Sequence, residues 1–247
     1  MKTRVWAHRG ASAYAPENTL EAFELAWEME ADGVELDVQM SKDGELIVLH
    51  DETLERTTDG KGFAKDYTLK ELKQLRAGGG RPHYEAARIP TLKEVLTLLE
   101  PSDMEVNIEL KTGIFFYPGI EERVMELVRK LKMEDRIWYS SFNHASLRKI
   151  KERRADARTG ILYADGWLGV PEYARRLGMD ALHPALYNLQ YPGFVQEARE
   201  RGLRLHVWTV NERVYMDKLI EAGIDAIITN YPDTAQKAVR AYKSTHA

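Results

Sequence analysis

The stretch Gly33-Val34-Glu35-Leu36-Asp37-Val38 indicates the fold, because its aliphatic and acidic residues alternate one by one. Alternation with a period of two is typical of a β-strand whose two faces meet different surroundings. The aliphatic residues form one face, and Glu35 and Asp37 lie side by side on the other. The same pattern recurs in Met104–Lys111, where Glu109 belongs to the polar face. In each of these two strands, the acidic residues therefore lie on the face opposite the aliphatic residues.

Other short runs rich in Val, Ile, Leu and Trp complete a repeating strand–helix pattern. The predicted strands are Arg4–His8, Gly33–Val38, Met104–Lys111, Arg136–Ser140, Arg158–Tyr163, Asp180–His183, Leu203–Val210 and Asp225–Thr229. The predicted helices are Thr19–Ala31, Pro118–Lys132, His144–Arg154, Val170–Leu177, Pro192–Arg201, Glu212–Ala222 and Pro232–Tyr242. Strands that alternate with helices over 247 residues predict an α/β fold, a (β/α)8 TIM barrel. A doubly wound open sheet is the alternative.

The chain between the second and third predicted strands is too long for one strand–helix unit. We therefore expect a small insertion after the second strand, over about residues 51–89, within a single catalytic domain that spans residues 1–247. The run Leu46–Leu49 follows an Asp43-Gly44 turn, which indicates a hairpin just before this insertion. Insertions in barrels commonly lie on the active-site face.

Composition excludes several classes of protein. The 35 Lys and Arg residues against 39 Asp and Glu residues give a net charge of −4, which argues against nucleic-acid binding and attraction to anionic membranes. There are no cysteines, so disulfides and thiolate metal sites are excluded. No apolar run is long enough for a membrane span, and the first ten residues do not resemble a signal peptide. We expect a cytoplasmic protein, and its oligomeric state stays open.

The acidic faces predict a metal site. In a barrel the apolar faces contact the helices, so Glu35, Asp37 and Glu109 point inward near the carboxyl ends of neighbouring strands. Burying carboxylates is costly unless they are paired or bind a cation, and oxygen ligands suit Mg²⁺ or Ca²⁺. The structural alternative is that Glu–Lys pairs satisfy one another.

Two histidines and two cations are predicted at the same end of the barrel. His8 ends the first strand, and His50 ends the run after the hairpin turn. A histidine pair can divide proton abstraction and proton donation near neutral pH. Arg9 and Lys111 add fixed positive charge that suits phosphate oxygens. The combination predicts a site for an anionic phosphoryl group.

Several motifs together resemble the glycerophosphodiester phosphodiesterase family. They are His8-Arg9-Gly10, Glu17-Asn18-Thr19, residues 33–38, Asp43-Gly44, His50-Asp51, Glu109-Leu110-Lys111, Ser141-Phe142 and the run His206-Val207-Trp208-Thr209-Val210-Asn211. Each motif is weak alone, but their order and spacing are specific from Arg4 to about Pro232.

The resemblance implies metal-dependent hydrolysis of glycerophosphodiesters, such as glycerophosphocholine and glycerophosphoethanolamine, to sn-glycerol 3-phosphate and an alcohol. It implies that His8 and His50 are the acid–base pair, that Glu35, Asp37 and Glu109 bind one divalent cation, Mg²⁺ or Ca²⁺, and that Arg9 and Lys111 contact the phosphate. It also favours Trp208 and Phe142 as walls of a glycerol pocket. The partner implied is a small-molecule substrate.

Two other functions stay open at this point. A lysophospholipase D-like lipid phosphodiesterase would need an apolar entry for an acyl chain, expected in the insertion, where Phe63, Tyr67, Leu69 and Leu72 are scattered among charged residues. A non-catalytic phosphodiester-binding module would be expected to lack a histidine or a metal carboxylate, and none is missing.

Overall fold

A computed structural model describes residues 3–246, and within them the chain forms one closed barrel. The strands are β1 (Arg4–His8), β2 (Gly33–Met40), β3 (Leu46–Val48), β4 (Glu105–Leu110), β5 (Ile137–Ser141), β6 (Thr159–Tyr163), β7 (Ala181–Pro184), β8 (Arg204–Val207) and β9 (Ala226–Thr229). Their order is β1-β9-β8-β7-β6-β5-β4-β2-β3, and a β1–β2 pairing closes the ring. The eight parallel strands confirm the (β/α)8 barrel, and the open-sheet alternative is wrong.

Helices follow the strands as the sequence pattern predicts. They are α1 (Leu20–Glu28), α2 (Leu69–Leu72), α3 (Leu92–Leu99), α4 (Ile120–Lys130), α5 (His144–Arg153), α6 (Val170–Arg176), α7 (Phe194–Glu200), α8 (Arg213–Glu221) and α9 (Pro232–Thr245). Two of them, α2 in the insertion and α3 just before β4, have no counterpart among the helices predicted above. Within residues 3–246, no helix is both long and apolar enough to cross a membrane.

The two faces of the strands have different surroundings, as alternation requires. Val34 and Leu36 of β2 are fully buried in the large core between the strands and the helices. Inside the barrel, Trp6 and Trp138 pack near the amino-terminal end. Glu105 lies at that end too, and its carboxylate forms ion pairs with Arg4 and Arg158. Glu105 is thus satisfied by arginines, apart from the other inward carboxylates.

The segment of residues 51–89 has a small core of its own. It follows β3, which pairs antiparallel with β2 and returns the chain to the carboxyl end of the barrel. Leu54, Leu72 and Ile89 of the segment pack with Ile47 of β3, and all four side chains are buried. The segment therefore packs against the β2–β3 hairpin, beside the predicted site.

Candidate active site

Three carboxylates meet inside the carboxyl end of the barrel. Asp37 of β2 lies opposite Glu109 of β4 in the parallel register, and Glu35 precedes Asp37 on the same face. One carboxylate oxygen of each residue lies within 4.8 Å of the other two, and all three residues are buried. The alternation in two neighbouring strands thus produces one acidic cluster.

The electrostatics of this cluster favour a bound cation. Burial raises the pKa of Glu35 well above its usual range, and the charges of Asp37 and Glu109 raise it further. Burial also raises the pKa of Glu109. Burial alone would raise the pKa of Asp37, but nearby charges, first Arg9 and then Lys111, lower it to about 2. Oδ1 of Asp37 is buried without a hydrogen-bond partner, and the nearest cation to it, Nζ of Lys111, lies 3.8 Å away. Three oxygen donors of this kind fit Mg²⁺ or Ca²⁺.

Arg9 and Lys111 stand beside the carboxylates, as the sequence predicts. The Nε atom of Arg9 lies 3.4 Å from Oδ2 of Asp37, and Nζ of Lys111 lies 3.0 Å from Oε1 of Glu109. Arg9 has a left-handed backbone with φ of +57°, and its N–H donates to the backbone carbonyl and carboxylate of Glu35. Such backbone strain persists where neighbouring contacts fix it. The alternative to a metal site was that Glu–Lys pairs satisfy one another. The Lys111–Glu109 pair is present, but it offsets only part of the negative charge of the three carboxylates.

The two histidines are each oriented through one ring nitrogen. Nδ1 of His8 lies 2.7 Å from Oδ1 of Asn230, and Nδ1 of His50 lies 2.6 Å from Oδ1 of Asp51. Burial lowers the pKa of His8 to about 4, and the charge of Arg9 contributes to the shift. Because Nδ1 is engaged in both rings, Nε2 is the atom left for chemistry.

Other polar residues hold these groups in place, and the candidate residues from the sequence did not include them. Arg56, from the insertion, donates to both carboxylate oxygens of Glu17 and to both of Asp51 at 2.6–2.9 Å. Glu17 in turn accepts a hydrogen bond of 2.8 Å from Arg9. A chain of contacts therefore runs from Arg9 to His50 through the insertion.

Two asparagines also act on the cluster. Asn18 donates a 2.8 Å hydrogen bond to Oδ2 of Asp37, and Asn230 holds His8. Asn230 directly follows β9, so the rule that singled out His8, a polar residue at a strand end, would have found it. Nothing in the sequence pairs Arg56 with Glu17, because 39 positions separate them.

Phe142 and Trp208 line one side of the same cavity. Their ring centroids are 5.8 Å apart and the rings are nearly perpendicular. The indole N–H of Trp208 donates to the carbonyl of His183 at 2.7 Å, which fixes the ring. Phe142 is 46% exposed, so it lies at the mouth.

The cavity enclosed by these residues is small, about 70 Å³, and His8, Arg9, Glu35, His50 and Glu109 line it. A larger cavity of about 710 Å³ lies at the opposite, amino-terminal end of the barrel, around Arg4 and Glu105. We place the chemistry in the small cavity, because the acidic cluster and both histidines converge there.

Comparisons with known proteins agree with this geometry. A sequence model of the "Glycerophosphoryl diester phosphodiesterase family" matches residues 8–234. A glycerophosphodiester phosphodiesterase of Caldanaerobacter subterraneus subsp. tengcongensis is 46% identical over 243 residues, covering 97% of this chain and 99% of the relative.

Solved structures extend the likeness to the fold. A phosphodiesterase of Oleispira antarctica, in complex with the product sn-glycerol-3-phosphate, superposes with a TM-score of 0.87 at 32% identity, covering 97% of each chain. A glycerophosphodiester phosphodiesterase of Agrobacterium tumefaciens has a TM-score of 0.83 at 30% identity, covering 94% of this chain and 98% of that one. The chain therefore belongs to the glycerophosphoryl diester phosphodiesterase family and is an enzyme of that class.

Proposed function

We propose that this enzyme hydrolyses glycerophosphodiesters, such as glycerophosphocholine and glycerophosphoethanolamine, to sn-glycerol 3-phosphate and an alcohol, with one divalent cation. The observation that carries the proposal is the convergence of Glu35, Asp37 and Glu109 with His8 and His50 at one cavity. The product bound to the Oleispira antarctica phosphodiesterase supports the choice of substrate class.

Glu35, Asp37 and Glu109 would hold Mg²⁺ or Ca²⁺. Two observations support this assignment: Oδ1 of Asp37 has no hydrogen-bond partner, and the three carboxylates repel one another. When bound, the cation supplies positive charge against the charge that develops on the phosphoryl oxygens.

Arg9 and Lys111 contact the phosphate in this proposal. Both side chains are mostly buried beside the acidic cluster, with exposed fractions of 17% and 12%. Burial makes their charges act through a lower dielectric than that of water, so they stabilise an anionic transition state more strongly. The fork of the Arg9 guanidinium suits two phosphate oxygens.

His8 and His50 act as the acid–base pair. One histidine removes the proton from the nucleophile, which is water or the neighbouring glycerol hydroxyl, and the other protonates the leaving alcohol through Nε2. Asn230 and Asp51 fix the two rings for these transfers.

Phe142 and Trp208 bound the glycerol end of the substrate. The small cavity leaves the alcohol group outside, near solvent. We therefore expect kcat/KM values for glycerophosphocholine, glycerophosphoethanolamine and glycerophosphoglycerol to agree within about tenfold, since solvent-facing differences discriminate weakly. Bis(p-nitrophenyl) phosphate, which lacks glycerol, should be a much poorer substrate. Equal efficiency on it, or strong preference for one head group, would mean that the pocket binds the other end.

Turnover with and without metal tests the proposal as a whole. A chelator should abolish release of sn-glycerol 3-phosphate, and Mg²⁺ and Ca²⁺, added back separately, should identify the cation that restores it. Undiminished turnover in excess chelator, with no metal found by elemental analysis, would exclude the metal assignment. Absence of sn-glycerol 3-phosphate among the products of every diester would exclude the reaction.

A further inference from the structure

One buried polar residue of the active-site cavity belongs neither to the metal cluster nor to the acid–base pair nor to the phosphate contacts. Asn107 of β4 lines the cavity, two positions before Glu109 on the same face of the strand. In the parallel register it lies opposite Glu35 of β2. Asn107 is 1% exposed, and its Oδ1 has no hydrogen-bond partner among residues 3–246. Leaving a buried polar atom unpaired is costly, so an unpaired atom in a cavity indicates a ligand that satisfies it.

Asn107 lies at the inner end of this cavity. Leu162 and Ile228, which also line it, belong to strands β6 and β9, and both are buried. Phe142 and Thr209 follow the ends of their strands and are partly exposed at the mouth. Below the acidic cluster, the inner part of the cavity therefore consists of two apolar side chains and one carboxamide. Apolar walls with a few placed polar groups are typical of sites that orient a small ligand.

The part of the substrate that would reach the inner end is the glycerol group. In the proposed function the phosphate contacts Arg9 and Lys111, and the alcohol group stays near solvent. The terminal hydroxyl of glycerol is the polar group furthest from the phosphate, so it extends deepest into the cavity. A carboxamide has an acceptor oxygen and N–H donors, and a hydroxyl both donates and accepts. Oδ1 of Asn107 can thus accept the hydroxyl proton, while Nδ2 donates to a glycerol oxygen.

We propose that Asn107 binds the terminal hydroxyl of glycerol and determines the preference of the enzyme for glycerol diesters. The inference rests on the proposed function and deepens it, because the residues that bound glycerol there, Phe142 and Trp208, offer apolar contacts. The indole N–H of Trp208 is already donated to the carbonyl of His183. An apolar pocket discriminates weakly between a hydroxyl and a hydrogen atom, whereas a buried polar group that loses its partner discriminates strongly.

A direct contact with the cation explains Asn107 less well. Glu35, Asp37 and Glu109 already bring three ligand oxygens within 4.8 Å of one another, and their negative charge attracts a cation that a neutral amide does not. Asn107 starts about 6–7 Å deeper along β4 than Glu109, since a strand rises about 3.3 Å per residue. Glu35 starts at the same depth as Asn107, but its side chain is longer by one methylene group and reaches the cluster.

The test removes the amide and the hydroxyl separately. Asn107→Leu keeps the approximate volume of the side chain without its hydrogen bonds, and 2-hydroxypropyl phosphocholine is glycerophosphocholine without its terminal hydroxyl. The unchanged enzyme should prefer glycerophosphocholine to this analogue about 10- to 100-fold in kcat/KM. In Asn107→Leu the preference should largely disappear, because the two changes remove the same interaction. Asn107→Ala should lose the preference too, and it replaces Asn107→Leu if leucine prevents folding.

Equilibrium binding gives a measurement that does not depend on turnover. Calorimetry with Mg²⁺ or Ca²⁺ present should show the Kd of sn-glycerol 3-phosphate rising about tenfold more in Asn107→Leu than the Kd of inorganic phosphate. The matched control is Ser140→Ala, which removes a hydroxyl that is likewise buried and unpaired. Ser140 lies opposite Glu109 in the register but does not line the cavity, so Ser140→Ala should keep the substrate preference and the ratio of the two Kd values.

Each outcome has a separate meaning. An unchanged preference in Asn107→Leu and Asn107→Ala, or an unchanged ratio of the two Kd values, would overturn the assignment. Equal losses on both substrates, with more cation needed for half-maximal activity, would also overturn it and assign Asn107 to support of the metal site. If the unchanged enzyme releases no sn-glycerol 3-phosphate from any diester, the proposed function fails, while the two Kd values still decide whether Asn107 binds glycerol.

Discussion

At the scale of single residues, Arg56 connects the two halves of the site. Its guanidinium holds Glu17 on one side and Asp51 on the other, and these carboxylates contact Arg9 and His50. The hydrogen bond from Arg56 is the largest cause of the lowered pKa of Asp51. Exposed ion pairs contribute little to stability, so we assign Arg56 a positioning role.

We expect Arg56→Ala to lower kcat about 10- to 100-fold with a small change in KM, because a misplaced catalytic group reacts slowly even with substrate bound. Arg56→Lys should remain impaired, since an ammonium cannot bridge four carboxylate oxygens. Steady-state kinetics at a temperature well below unfolding measures both.

The control is Arg76→Ala, which removes an exposed Arg–Asp59 pair of the same insertion and should leave kcat unchanged. Partial recovery of kcat in Arg56→Ala on adding guanidinium ion would support positioning. A rise in KM with unchanged kcat would contradict it.

The two histidines proposed as the acid–base pair give a second prediction at this scale. His8→Ala and His50→Ala should each lower kcat roughly 10²–10⁴-fold, the usual contribution of general acid–base catalysis. A substrate with an activated leaving group should rescue the variant that lacks the acid and not the one that lacks the base. His83→Ala, an exposed histidine of the insertion, is the control. Unchanged rates in both site variants would reject the acid–base assignment.

At the scale of elements, α3 begins with a signal that is local in the sequence. Thr91 accepts from the N–H of Glu94, and the Glu94 side chain accepts from the N–H of Thr91, which is a capping box. Leu92, Val95 and Leu99 then face the core with helical spacing. A capping box followed by apolar residues at helical spacing is encoded locally, so the interval between β3 and β4 contains a barrel helix as well as the insertion.

Thr91→Ala should therefore lower the free energy of unfolding by about 1 kcal/mol, the usual cost of losing an N-cap. Thr245→Ala, near the end of α9, removes an exposed threonine hydroxyl and should change stability much less. Denaturant unfolding of the two variants beside the unchanged protein measures the difference. Equal loss in both would show that the capping box contributes nothing specific.

At the scale of the whole molecule, a buried histidine pair links stability to pH. Nδ1 of His206 lies 2.8 Å from Nε2 of His183 inside the barrel, and both residues are buried. Burial lowers the pKa of His183 to about 3 and holds that of His206 well below its usual range. The His183 ring fits against β6 because residue 160 is glycine. A Cβ at that position would lie 2.2 Å from the ring.

Both imidazoles should stay neutral in the folded protein and charge on unfolding. Below about pH 6.5 the unfolded chain then binds more protons than the folded one, so the free energy of unfolding should fall as pH falls toward about 3. Denaturant unfolding between about pH 7 and pH 5 measures the slope. NMR titration of the folded protein should show no protonation of either ring in that range, and titration near pH 6.5 would contradict the prediction.

Several features of the fold and site follow from short-range pattern alone. The period of two in β2 and β4 places Glu35, Asp37 and Glu109 on the inward faces of the strands, independently of the conformation of the loops. Parallel strands bring their carboxyl ends to one edge, so His8 at the end of β1 had to lie near that cluster. Local periodicity and register therefore predicted the barrel and brought together the residues expected to form its site.

Tertiary structure alone decided which side chains hold the site and which face solvent. Arg56 reaches Glu17 across 39 positions, and no periodicity links residues in two irregular loops. The insertion's apolar residues pack inward on β3, whereas Phe116 and Leu168 stay exposed beside the mouth, although all are equally apolar in the sequence. Burial depends on what the folded chain places over a residue. In strands, the alternation of residues predicts which side chains are buried. In loops, burial is decided by contacts between residues that are far apart in the sequence.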